Sequence, residues 1–246
     1  KISYDFFENI LQPKNYPLGR FPSNPEFSLS LMQQVATNIY INKPNTMLSV
    51  NGPPGTGKTT LLRDIFSHLI VEQAKEICNL HNKKIDETLS FDEDKFFAIL
   101  PMQISNKNIV VASSNNGAVQ NIVNELPLKS SISNEFIDEI LDIDYFSSIL
   151  NKDNTEKNKK EKYWGTFSLE GGSQKNLNRF FSIIDSIKNE LNFNSDKKIY
   201  DEFIDKYKIL LKEKNVAQKY FDNLKMIKEI DNEIINLRNE ITLETE

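Results

Sequence analysis

Cysteine, arginine and long apolar runs are scarce in this chain of 246 residues. Its single cysteine, Cys78, cannot form an internal disulfide, and such a composition is typical of proteins from a reducing cytoplasm. A membrane-spanning helix needs about 18 or more consecutive apolar residues, and no such stretch occurs. Residues 1–5 also lack the apolar centre of a signal peptide. We therefore expect a cytoplasmic protein without a membrane segment.

Positive charge is also limited. The formal net charge is -5, which argues against a broad surface that binds nucleic acid indiscriminately. The net charge does not exclude a local basic groove. Because arginine supplies the bidentate clamps on phosphate groups, few side chains of this chain can act in that way. The arginines are Arg20, Arg63, Arg179 and Arg238.

The N-terminal segment leads to one short apolar run. Prolines at positions 13, 17, 22 and 25 predict an extended lead-in that packs on the core. Ser28 or Ser30 is then expected to cap a helix over residues 31–41, where apolar side chains recur at intervals of four. Residues 47–50 are typical of a buried parallel strand, and a glycine-rich loop follows at once.

Helical and strand patterns alternate beyond this loop. Apolar spacing predicts a helix from Lys58 to about Leu80, then a polar linker over residues 81–95. Residues 96–100 and 109–112 are two further strand candidates, and an amphipathic helix follows as far as Pro127. The alternation predicts an α/β domain, a parallel sheet flanked by helices, over residues 1–150.

The composition changes after residue 150. Residues 151–162 are charged and almost without apolar side chains, which predicts a surface loop. Further on, apolar residues alternate spacings of three and four in a heptad pattern that predicts a coiled-coil arm in need of a partner strand. We expect residues 151–246 to form a helical appendage with this arm, which would serve a protein partner. The seam is Val216, Tyr220, Ile227, Ile230, Ile234, Leu237 and Ile241.

The glycine-rich loop carries the chemistry. It has the pattern Gly-x4-Gly-Lys-Thr between a strand candidate and a helix, which is the arrangement of a phosphate-binding P-loop. Its backbone N–H groups are expected to hold the phosphates of ATP, Lys58 the β and γ phosphates, and the Thr59 hydroxyl a Mg²⁺ ion. The predicted nucleotide-binding residues here are Gly52, Pro53, Pro54, Gly55, Thr56, Gly57, Lys58, Thr59 and Thr60.

Phosphoryl transfer also needs an acidic residue for Mg²⁺ and an arginine on the developing charge. The strand candidate at residues 109–112 contains no carboxylate. Asp138, Glu139 and Asp142 follow helical spacing instead of ending a strand. The acidic and arginine partners are therefore expected outside this chain, which on its own should bind nucleotide better than it cleaves it.

Three motifs in order give a resemblance to superfamily 1 helicases, closest to the 5′-to-3′ branch. They are residues 29–36, the loop at residues 50–60, and residues 110–126. The resemblance implies a RecA-like P-loop NTPase core, incomplete within residues 1–150, in an ATPase that translocates on or unwinds DNA or RNA. It implies that Gln33 reads the adenine. It also implies that Ser114, Asn115 and Asn116 contact single-stranded nucleic acid; the other interpretation of these three residues is a helix cap.

Two aromatic residues follow the charged segment, and two functions other than a helicase are also considered. Trp164 or Phe167 could stack on a base, but a core role is favoured. Any nucleic-acid contact should be directed at the backbone and tolerate any sequence. A ring-forming AAA+ remodelling ATPase shares the loop sequence, and a nucleotide-gated interaction module without helicase activity is the third hypothesis.

Overall fold

A computed structural model describes residues 4–43, 47–53, 55–83, 88–92, 95–113, 122–142, 145–155, 162–190 and 198–244. Within these ranges, helix is the main regular structure. The helices are α1 (Tyr4–Ile10), α2 (Leu31–Asn42), α3 (Lys58–Asn79), α4 (Met102–Ser105), α5 (Asn134–Asp142), α6 (Ser147–Thr155), α7 (Gln174–Glu190) and α8 (Lys198–Glu244). Residues 122–125 are also helical. Short 3-10 turns lie at Pro13–Asn15, Pro25–Phe27 and Lys129–Ser131.

The predicted α/β fold with a parallel sheet is wrong for the described part of the chain. Its one sheet has two strands, β1 (Thr88–Asp92) and β2 (Lys95–Ala98), which pair antiparallel. The β2 strand falls where residues 96–100 predicted one. Residues 47–50 and 109–112 are assigned to neither helix nor strand.

Exposure gives the physical reason for this error. A buried parallel strand has neighbours along both edges and apolar groups on both faces. Met47 is 100% exposed and Val110 is 91% exposed, so both apolar runs reach the surface. A run of apolar residues indicates only that a segment suits burial. It cannot indicate whether another strand lies beside it.

The two predicted helices that flank the loop are confirmed. Helix α2 begins after Ser30, which forms a capping box with Gln33, and helix α3 ends at Asn79, one residue short of the predicted Leu80. Both helices contribute to one apolar core beside the loop. Its buried members are Phe21, Leu61, Ile65, Phe66, Leu126 and Ile132.

The surface loop predicted at residues 151–162 is wrong in its first part, because α6 continues to Thr155. Ile149 and Leu150 are buried in a second apolar cluster and hold this helix in place. Asn151 adds two hydrogen bonds, accepting from the Tyr163 N–H at 2.9 Å and donating to its carbonyl at 3.0 Å. Charge alone did not exclude helix. Residues 156–161 lie outside the described ranges.

Helix α8 has 47 residues and is therefore about 70 Å long. Its first half lies against α3 and the lead-in segment. The Tyr207 hydroxyl donates to Glu72 Oε1 at 2.7 Å, and Lys214 Nζ donates to the Tyr16 carbonyl at 2.6 Å. Apolar residues farther along, such as Ile227 and Leu237, are more than half exposed. None of the described helices is both long and apolar enough to cross a membrane.

Candidate functional site

The predicted phosphate-binding loop, residues 52–59, runs directly into α3, which begins at Lys58. Gly55 has φ 82° and Gly57 has φ 73°, a left-handed conformation that glycine adopts without a steric penalty. Gly57 is also the N-cap of α3, and it supplies no side chain to satisfy the first N–H groups of the helix. These N–H groups and the helix dipole favour an anion at this end.

The Lys58 side chain reaches back across the mouth of the loop, by which we mean the carbonyls of Gly52 and Pro53 at its start. Its Nζ donates to the Gly52 carbonyl at 2.7 Å and to the Pro53 carbonyl at 2.8 Å. The Thr56 hydroxyl also donates to the Pro53 carbonyl, at 2.9 Å. The lysine is exposed, so its ammonium can exchange these carbonyls for an incoming phosphate. Pro54, which was predicted to contact nucleotide, lies outside the described residues.

The loop residues fit a polyphosphate. A Cβ added to Gly55 would meet nothing within 4 Å, so the outer side of the loop is open. Thr59 and Thr60 are partly buried in the first turn of α3. Thr59 remains the predicted Mg²⁺ ligand. Among the described residues, no group of three or more His, Cys, Asp or Glu side chains could hold a metal ion.

Gln33 connects α2 to the loop. Its Nε2 donates to the carbonyls of Thr56 and Gly57, each at 3.0 Å, and its Oε1 accepts from the Ser30 N–H at 2.7 Å. Gln33, the residue predicted to contact the adenine, therefore lies beside the loop predicted to bind the phosphates. All three polar contacts of its amide go to protein groups.

A cavity of about 230 Å³ opens between the lead-in segment and α3. Phe27, Leu29 and Thr60 are part of its lining, and Phe27 is 68% exposed. The cavity thus offers apolar and aromatic surface close to the N-terminal ends of both α2 and α3.

Sequence reasoning missed two charged residues of α3 near this cavity. The buried Asp64 carboxylate accepts from Arg20 Nη2 at 2.7 Å and from the Phe21 N–H at 3.0 Å, which fastens the lead-in segment to α3. Arg63 pairs with Glu125 at 3.2 Å. A carboxylate between Leu61 and Ile65 on an apolar helix face was the signal that could have identified Asp64.

Arg63 has further contacts that sequence spacing could not predict. Its guanidinium carbon lies 5.5 Å from the centroid of the Phe21 ring. Its Nε is buried and has no hydrogen-bond partner within the described part of the chain. Since Glu125 belongs to the helical residues 122–125, Arg63 links α3 to the segment that follows the predicted nucleic-acid contacts.

Those predicted contacts, Ser114, Asn115 and Asn116, lie outside the residues that the structure describes. The helical turn after them is held by side chains from farther along the chain. Trp164 Nε1 donates to the Leu126 carbonyl at 2.9 Å, and the Ser168 hydroxyl donates to the Val123 carbonyl at 2.8 Å.

The favoured core role of the two aromatic residues is confirmed. Trp164 and Phe167 both pack against the apolar core beside the loop. Their ring centroids are 5.4 Å apart, and Phe167 also meets the Phe21 ring edge to face at 6.1 Å.

Comparison with known families bears on this loop and its surroundings. The model of the AAA domain family matches residues 29–245. The chain belongs to the AAA domain family. That family is a domain of the helicase-like superfamily 1 P-loop ATPases. No curated protein and no solved structure matches the chain.

Membership confirms the resemblance found in the motifs. The AAA domain is an ATP-binding, helicase-like ATPase domain, and the match includes the loop, Gln33 and all of α8. The loop geometry agrees with this activity, because the open side at Gly55, the helix N-terminus and Lys58 together suit a phosphate chain.

Proposed function

We propose that this AAA domain binds Mg·ATP in the loop of residues 52–59 and uses its hydrolysis to translocate on or unwind DNA or RNA. The observation that carries the proposal is the loop itself. Its two left-handed glycines lead into the open N-terminus of α3, and the Lys58 ammonium spans its mouth. ATP supplies the phosphoryl group whose transfer to water releases the free energy for movement.

Each loop residue has a task in this proposal. Backbone N–H groups of residues 55–59 hold the phosphate oxygens, and the dipole of α3 adds to the attraction. Lys58 leaves the carbonyls of Gly52 and Pro53 and neutralises charge on the β and γ phosphates. The Thr59 hydroxyl ligates Mg²⁺, and Gln33 reads the adenine edge with an amide that both donates and accepts.

Single-stranded DNA or RNA is the proposed partner of Ser114, Asn115 and Asn116. The net charge of -5 favours a few contacts to the backbone over a broad basic surface. The link between Arg63 and Glu125 supports communication with the nucleotide site, because it joins α3 to the helical residues 122–125.

The test is ATP turnover by the whole protein with and without single-stranded DNA or RNA. We expect nucleic acid to increase turnover, and Lys58→Ala to abolish turnover under both conditions. Equal ATP turnover with and without every nucleic acid tried would contradict the proposal that the protein translocates on or unwinds DNA or RNA. Loss of stimulation in Ser114→Ala, with basal turnover retained, would identify the proposed contact segment.

A second candidate is a nucleotide-gated interaction module in the cytoplasm, with residues 151–246 as a helical appendage. The exposed apolar side chains of α8 favour it, since Ile227, Ile230 and Leu237 are between 48% and 57% exposed. We propose a coiled coil with a protein partner along this seam. Tight ATP binding without turnover in the whole protein, measured by calorimetry, would favour this module over a motor.

A further inference from the structure

The Gln33 side chain makes more contacts with the loop than reading a base requires. Its Nε2 donates to the Thr56 carbonyl and to the Gly57 carbonyl, at 3.0 Å each. Its oxygen accepts from the Ser30 N–H, so the amide is fixed at both ends. A base that engages the Nε2 group must therefore share or replace a loop contact.

Because the peptide bond is planar, these contacts to carbonyl groups also restrict the direction of the neighbouring N–H groups in the phosphate site. In a trans peptide the C=O and the following N–H point in opposite directions. When Gln33 holds the Thr56 carbonyl, the Gly57 N–H must point away from Gln33. The Gly57 carbonyl also accepts from the Leu61 N–H of α3 at 3.1 Å, so Gln33 and the helix together fix the direction of the Lys58 N–H. Successive N–H groups turned to the same side form an anion-binding nest.

Close packing shows that this contact needs glycine at position 57. A Cβ built on Gly57 would lie 2.2 Å from Gln33 Nε2, too close for any real contact. By contrast, a Cβ on Gly55 would meet nothing within 4 Å. The space at Gly57 is therefore filled by the Gln33 amide.

We propose that Gln33 is a positioning residue for the phosphate-binding loop: it orients the Gly57 N–H, and together with α3 the Lys58 N–H, toward the triphosphate, whatever base the nucleotide carries. The inference deepens the proposed function and rests on it. Adenine reading acts on the base alone, whereas this role acts on the phosphates. A ligand that has phosphates but no base separates the two roles.

The experiment measures binding of inorganic tripolyphosphate and of ATP to the whole protein by calorimetry. Gln33→Met keeps the length of the side chain and removes its hydrogen bonds, and Gln33→Ala is the second variant. Ser30→Ala is the matched control, because it removes the helix-cap hydroxyl and keeps the backbone N–H that holds the Gln33 oxygen. Circular dichroism establishes that each variant is folded.

With two hydrogen bonds lost, tripolyphosphate should bind up to roughly 30-fold more weakly to Gln33→Met, and Ser30→Ala should bind like the wild type. Weaker ATP binding with unchanged tripolyphosphate binding in both Gln33 variants would overturn the positioning role and leave the proposed function intact. If the wild type bound neither ligand, the proposed function itself would fall, and the positioning role with it.

Discussion

Replacing Gly57 by alanine should damage the nucleotide site far more than the same change at Gly55. Both glycines have positive φ, 73° and 82°, so alanine at either position must adopt a left-handed conformation. That conformation costs about 1–2 kcal/mol for a residue with a Cβ. The backbone term is therefore nearly the same at the two positions.

The side-chain term differs. At Gly57 the new Cβ would lie 2.2 Å from Gln33 Nε2, whereas at Gly55 it would enter open space. Gln33 must then move and lose its bonds to the Thr56 and Gly57 carbonyls, at about 1 kcal/mol each. The difference of about 2 kcal/mol corresponds to a Kd for ATP up to roughly 30-fold higher in Gly57→Ala than in Gly55→Ala.

Calorimetric titration of ATP into both variants measures this difference, and the same pair of changes in a Gln33→Ala background, which removes the end of the side chain, isolates its cause. Without the Gln33 amide, the two alanine variants should bind ATP with similar affinity. An equal loss of affinity at Gly55 and Gly57 in the wild-type background would refute the steric reasoning. So would a difference that persists in full without Gln33.

Three other changes test the groups that hold α3 in place. Asp64→Asn should lower the free energy of unfolding in urea by about 2 kcal/mol, since the buried carboxylate accepts from Arg20 and from the Phe21 N–H. Burial lowers the pKa of His68 below its usual 6.5, against the opposing effect of Glu72. Stability should therefore fall as the pH drops below 6.5, and His68→Gln should remove that component. Burial and the hydrogen bond to Glu72 raise the pKa of Tyr207 above its usual 10.0. Stability should therefore fall as the pH rises above 10.0, and Tyr207→Phe should flatten this slope.

The sequence predicted helices better than it predicted the sheet. Helix signals are local, since Ser30 caps α2 through a residue three positions away, and apolar spacing fixes the buried face of α3. Strand pairing depends on distant segments. The exposed positions of Met47 and Val110 follow from which segments lie beside them, and a pattern over four residues carries no such information.

In the candidate site, too, local features could be predicted from the sequence and contacts between distant residues could not. The spacing of Gly52, Gly55 and Lys58 predicted a phosphate-binding loop, and membership of the AAA domain family agrees with it. The contacts that support the loop could not be predicted, because Gln33 reaches residues 23 and 24 positions away. Asp64 holds a backbone N–H 43 positions away for the same reason.

The most direct measurement is the binding of ATP to the wild-type chain and to Lys58→Ala by calorimetry in the presence of Mg²⁺. We expect saturable binding at one site in the wild type and its loss in the variant, because the ammonium that spans the Gly52 and Pro53 carbonyls is the one positioned to take the phosphates. Unchanged affinity in Lys58→Ala, or no binding to the wild type, would contradict the assignment of residues 52–59 as the nucleotide site.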